Sequence, residues 1–196
     1  ESLGGMRVLA VTSAANREGK TSVASQLAVS FARSTGKQLL LIDGDMRCPD
    51  LHNVFNIELE PGLVKVLDGG CELEDAINTG WSDLVHVLPA GRLEVNPHTL
   101  LGNGTWTSLL TRIPEKYRYV IIDTPPVLSA SEALVLTKEA DATLVCVMRD
   151  YSRVDQFRKI LERLETAGTR PVGIVLNGVP VKDYSYRWGE YSYVRD

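Results

Sequence analysis

Five nearly continuous apolar runs constrain this chain more than any other feature. They read RVLAVT (7–12), QLLLID (38–43), YVIID (119–123), ATLVCVM (142–148) and VGIVLN (172–177), with DLVHVL (83–88) as a weaker sixth. Each closes on a polar residue or a turn. A strand wetted on one side alternates apolar with polar residues, whereas unbroken Val, Ile and Leu suit parallel strands covered on both faces. Helical periods lie between the runs. Val23, Ala24, Leu27, Ala28 and Phe31 recur at helical spacing over 20–33, with Gly36 as a stop. Val154, Phe157, Ile160, Leu161 and Leu164 form a second stripe over 153–167, with Ser152 as the expected N-cap and Gly168 as the stop. Shorter helices are expected at 62–67, 73–78 and 106–113. Strands alternating with helices predict an α/β domain of three layers, with a mostly parallel central sheet and helices on both faces.

Composition narrows the function classes. The 196 residues, 44% hydrophobic and 23% charged, fit one globular domain and exclude a wholly disordered chain. With 21 Lys and Arg against 25 Asp and Glu, the formal charge of −4 offers no basic field, so nucleic acid is not an expected partner. Cys48, Cys71 and Cys146 are far apart and suggest neither a disulfide framework nor a zinc site. No apolar run reaches the ~20 residues of a membrane span, and 1–7 is not a signal peptide. A cytoplasmic domain is expected, and its abrupt start suggests a fragment of something longer. The last stretch differs in kind. KDYSYRWGEYSYVRD carries Tyr184, Tyr186, Tyr191 and Tyr193 without a helical period. The expected division is therefore a domain at 1–181 and a flexible Tyr-rich tail at 182–196, with an aromatic edge strand as the alternative for the tail.

Between the first strand and the first helix stands SAANREGKT. Ala14, Gly19, Lys20 and Thr21 fit the spacing of a phosphate-binding P-loop, with Ala14 where the strict pattern has Gly. Gly19 allows close backbone approach to phosphate, and a helix start aims free N–H groups at that anion. Ala15, Asn16, Arg17, Glu18, Gly19, Lys20, Thr21 and Ser22 are thus the expected nucleotide cradle. Lys20 would reach the β- and γ-phosphates, and the Thr21 hydroxyl would ligate Mg²⁺. The plainer alternative makes Lys20 and Thr21 merely a helix start.

Ligands of open α/β sheets sit outside the carboxyl ends of the strands. Asp43 and Asp123 each close an apolar run, so both should reach that edge, and Asp45 can face the same crevice. One acid at a strand end is usually a cap or turn former; three beside a P-loop suit a Mg-nucleotide site. Arg47 would stabilise developing phosphate charge or pair with Asp45. His52, His86 and His98 are scattered and make no catalytic constellation.

At this point the chain resembles a known family, the bacterial tyrosine kinases of the polysaccharide co-polymerase systems, P-loop proteins related to the MinD and ParA ATPases. TSAANREGKTSVASQLA resembles the family's Walker A segment, with Asn16 and Arg17 replacing its usual Pro-Gly. LLLIDGDMRCPDLH resembles Walker A′, matching at Asp43, Asp45, Arg47, Pro49 and His52. VLPAG and NPHTLL resemble the middle segment, and YRYVIIDTPPVL resembles Walker B with Asp123, Pro125 and Pro126. VGIVLNGV resembles the strand whose Asn, here Asn177, contacts adenine. The tyrosine-rich end resembles the autophosphorylation cluster.

The resemblance implies an ATP- and Mg²⁺-dependent protein-tyrosine kinase of the P-loop NTPase fold. Lys20, Asp43, Asp45, Asp123 and Arg47 would be its catalytic residues, and Thr21, Asp43 and Asp123 its metal residues. Tyr184, Tyr186, Tyr191 and Tyr193 would accept phosphate from a neighbouring copy. It further implies a role in exopolysaccharide or capsule synthesis, other protein-tyrosine substrates and a membrane-spanning activator. The protein would lie at the inner face of the cell membrane. The ExxRxxR helix tied to ring assembly is not found in 1–6, so this chain alone is expected to be a monomer or weak oligomer, with homo-oligomers left to the full-length protein. Two other readings stay open. One is a partner-controlled MinD- or ParA-like ATPase, against which Ala15 stands where those proteins have a signature lysine; the other is a nucleotide-binding module without catalysis.

Overall fold

The computed structural model describes residues 6–102 and 104–180. Its strands are β1 (Val8–Ser13), β2 (Leu39–Asp43), β3 (Val85–Leu88), β4 (Tyr119–Asp123), β5 (Ala142–Met148) and β6 (Pro171–Asn177). All pair in parallel, in the order β3-β2-β4-β1-β5-β6. The helices are α1 (Lys20–Thr35), α2 (Leu51–Phe55), α3 (Leu63–Leu67), α4 (Leu73–Ala76), α5 (Pro97–Leu101), α6 (Thr105–Arg112), α7 (Glu132–Lys138) and α8 (Val154–Thr166). The expected α/β class and parallel sheet are thus what the chain adopts, and every apolar run is a strand.

The continuous runs are explained by two covered faces. In β2, Leu39 and Leu41 pack with Val23, Ala24, Ala28 and Ala32 of α1 and with Phe55 of α2. Leu40 and Ile42 point the other way, into a cluster with Leu63, Val66, Trp106, Leu109 and Tyr117. Every residue of β2 is buried, so no polar residue could alternate there without a partner. A third cluster, Ala14, Val127, Ala133, Val145, Ile160 and Leu164, joins α7 and α8 to β5 and the start of the phosphate loop.

Gly36 and Gly168 end α1 and α8 as expected, with φ of 63° and 75°, the left-handed conformation that favours glycine. Ser152 does not cap α8. Its hydroxyl accepts from the Met148 N–H at 2.7 Å and donates to Glu18, and α8 begins after Arg153 with no side-chain cap. Helices α2, α5 and α7 were not anticipated. The four tail tyrosines lie outside the described residues. Among the described residues no helix is long and apolar enough to cross a membrane.

Strand order sets the site. β1 lies between β4 and β5, and β4 separates it from β2, so the chain's direction of winding reverses beside β1. Asp43 stands directly opposite Asp123, and Asp123 opposite Val11, so the two acids and the start of the phosphate loop share one sheet edge.

Candidate active site

The loop from β1 to α1 is held from behind. Glu18 turns inward, with one carboxylate oxygen accepting the Ala15 N–H at 2.8 Å and the other taking the Ser152 hydroxyl. The Asn177 side chain, at the end of β6, donates to the Glu18 carbonyl at 2.8 Å. Gly19 is required twice over. Its φ is +83°, and a Cβ there would stand 2.6 Å from the Asn177 amide nitrogen. Of the expected cradle, Ala15 has therefore committed its N–H to Glu18, and Glu18 contributes a brace rather than an outward side chain. The first turn of α1, from Lys20, leaves its N–H groups without intrahelical partners, as any helix start does. Asn16, Arg17, Gly19, Lys20, Thr21 and Ser22 line one wall of a crevice of about 480 Å³; Asp45, Cys48, Pro49 and Asp50 line the other.

Lys20 Nζ meets Asp45 Oδ2 at 2.8 Å, with both side chains nearly buried. Burial pushes the Lys20 ammonium down, but Asp123, Asp45 and Asp43 together raise it above its ordinary value. Asp43 accepts three backbone N–H groups. Its Oδ1 accepts the Asp45 N–H at 3.2 Å, and its Oδ2 accepts the N–H groups of Asp50 and Leu51 at 3.1 and 3.0 Å. It thereby shapes the turn after β2 and caps α2. Burial and the facing Asp123 nevertheless push its carboxyl up to about 8. Burial likewise raises Asp123 to about 6, against the pull of Lys20 and of the Thr21 hydroxyl.

Both Asp123 carboxyl oxygens are buried, and apart from the nearby Thr21 hydroxyl neither has a hydrogen-bonding group of a described residue in good geometry. Such a carboxylate beside two further acids and one ammonium fits a divalent cation. No three His, Cys, Asp or Glu side chains converge as a ready cage among the described residues. Thr21 and Asp123 would therefore hold Mg²⁺ together with phosphate oxygens and water, with Asp43 behind them.

Arg47 goes elsewhere. It pairs with Glu132 at the start of α7, not with Asp45, and it does not line the crevice. Glu132 is buried, and its second oxygen faces His98 Nε2 at 3.5 Å. Of the other histidines, His86 bonds the Tyr117 hydroxyl at 2.8 Å inside the core. Sequence reading missed the bracing residues Ser152 and Glu132, whose partners lie far along the chain. It also missed Gly44. That glycine's N–H donates to the Asp123 carbonyl at 2.7 Å, and a Cβ there would sit 2.8 Å from the same oxygen. The Gly between two Asp residues in IDGD was the available signal.

A family model described as AAA domain matches residues 6–171. Tyrosine-protein kinase YwqD of Bacillus subtilis is 34% identical over 188 residues, covering 96% of this chain and 77% of that protein. Tyrosine-protein kinase etk of Escherichia coli is 34% identical over 172 residues, which is 88% of this chain but 24% of the relative's own length. The solved kinase domain of the Escherichia coli tyrosine kinase ETK superposes with a TM-score of 0.85 at 31% identity, covering 100% of this chain and 74% of that one. MinD of Pyrococcus horikoshii, solved with Mg-ADP, gives a TM-score of 0.74 at 23% identity over 92% of this chain and 76% of its own, a likeness of fold.

Proposed function

The chain belongs to the bacterial tyrosine-protein kinases built on a P-loop fold, and from that premise we propose that it transfers the γ-phosphoryl group of ATP to protein tyrosines, its own tail included. The observation that carries the reading is the contact of Lys20 with Asp45 at 2.8 Å, a phosphate-binding cation and a proton acceptor in one crevice. When triphosphate enters, Lys20 exchanges Asp45 for phosphate oxygens, while N–H groups of the loop and first turn fix the chain of phosphates. Mg²⁺, when bound, neutralises charge across the β- and γ-oxygens. Thr21 and Asp123 orient that end of the nucleotide. Asp45, released from Lys20, accepts or orients the tyrosine hydroxyl proton; Asp43, with three N–H donors already on its oxygens, holds the turn instead. Neither acid needs an unusual basicity, because positioning and charge neutralisation supply most of phosphoryl-transfer catalysis. Asn177 stands behind Gly19 and remains the residue we assign to the adenine end.

The acceptors we assign are Tyr184, Tyr186, Tyr191 and Tyr193 in a tail at 182–196, beyond a domain ending near 181. An extended chain of ~3.3 Å per residue carries Tyr193 on the order of 50 Å from Asn177, ample to enter a neighbour's crevice. The full-length protein would work at the inner face of the membrane, beside or joined to a membrane-spanning activator, in exopolysaccharide or capsule synthesis. The much greater length of relatives such as etk is consistent with such an added region. The test mixes Lys20→Met protein, tail intact, with active protein whose four tail tyrosines are Phe, in labelled ATP and Mg²⁺. Label on the Lys20→Met chain, mapped to tail tyrosines, is the expected result. ATP hydrolysis with no phosphotyrosine on either chain would replace the kinase with an ATPase switch.

A further inference from the structure

Two arginines flank the phosphate crevice in sequence, and only one lines it. Arg47 is drawn off to buried Glu132. Arg17 lies on the loop wall beside Gly19, Lys20 and Thr21, exposed, and makes no hydrogen bond or ion pair with a described residue. The other cation of that wall, Lys20, is already matched by Asp45. Arg17 also holds a backbone φ of +65°, where a side chain is disfavoured and glycine is free. A bulky residue kept in a left-handed conformation on the lip of a binding crevice marks a position where the side chain compensates for the strain.

We propose that Arg17 binds the phosphate chain of ATP through its guanidinium. The inference rests on the crevice being a nucleotide site. A planar fork of five donors matches phosphate oxygens in pairs, and it supplies a charge that backbone N–H groups lack. The loop thus adds a second cation to Lys20 from its own exposed tip, opposite Asp45 and Asp50, which would otherwise leave the mouth of the crevice acidic.

Fluorescent ATP titrated with Mg²⁺ into wild type, Arg17→Gln and Arg17→Gly, with thermal midpoints taken without nucleotide, decides the matter. Both variants should bind ATP on the order of tenfold more weakly, the loss of a charge-assisted hydrogen bond. Arg17→Gly should keep or raise the midpoint, because glycine accepts the backbone angle freely. Wild-type affinity in Arg17→Gln overturns the proposal, as does a loss confined to Arg17→Gly, which would make the effect one of loop stiffness. A fall in the Arg17→Gly midpoint would make Arg17 a folding residue and overturn it too. Wild-type protein that binds no ATP would remove the nucleotide reading itself, a separate result.

Discussion

Lys20 sits among three carboxylates, and its charge serves the resting protein before it serves a phosphate. Asp45 is almost wholly buried against it. Lys20→Met therefore strands a buried anion, and breaking such a pair costs about 3–5 kcal/mol. The expected result is a clear loss of stability in urea at neutral pH, together with loss of ATP binding. Adding Asp45→Asn to the same chain should recover most of the stability and none of the binding. If Lys20→Met alone melts like wild type, the pair contributes nothing to folding. Which residues line the crevice was largely legible: Lys20, Thr21 and Asp45 follow from P-loop spacing and from the strand end beside them, while Asp123, also at a strand end, is buried. Their partners were not. Arg47 reaches Glu132, 85 positions away, and Ser152 reaches Glu18 across 134. Pairing at that range depends on how the layers stack, which local spacing does not encode.

At the scale of elements, strands and the two long helices were legible because burial on two faces and a 3.6-residue stripe leave strong patterns. The short helices were harder for a physical reason. α2 has five residues and no side-chain cap of its own; its first N–H groups are satisfied by Asp43, across the turn from β2. α5 carried a readable signal, Asn96 accepting from the His98 N–H with Pro97 at its first turn, that periodicity alone passes over. Asp43 thus has a structural task beside any chemical one. In Asp43→Asn one acceptor oxygen becomes a donor facing N–H groups, so hydrogen exchange over 50–55 should speed up even without nucleotide. Unchanged protection there would limit Asp43 to chemistry. Gly44→Ala presses a methyl group to 2.8 Å from the Asp123 carbonyl and 2.9 Å from Leu136 Cδ1. Overpacking of this kind costs about 1–3 kcal/mol, read as a lower urea midpoint, and it should pry the Walker A′ turn away from β4.

Over the whole molecule, the crevice concentrates negative charge in a protein already at −4, and this links its stability to pH and to cations. Asp43 and Asp123 are raised from 3.8 to about 8 and about 6. Between those values and 3.8 the folded chain without ligand keeps protons that the unfolded chain releases. Stability from this pair is therefore complete below about pH 4 and is lost progressively as pH rises through about 6 and then about 8. A bound cation favours the carboxylate form, so uptake of Mg·ATP at neutral pH must expel protons. Three results follow together. Affinity should rise as pH goes from 6 to 8, binding heat at pH 7 should differ between buffers of low and high ionisation enthalpy, and the sign should correspond to proton release. Asp43→Asn, titrated under identical conditions, subtracts the nucleotide's own protonation and should show the smaller buffer dependence. Heats identical in both buffers for wild type would mean that Asp43 and Asp123 are already ionised before the nucleotide arrives. Lys20 and the donors around Asp43 would then be sufficient to hold two facing carboxylates charged before nucleotide binds.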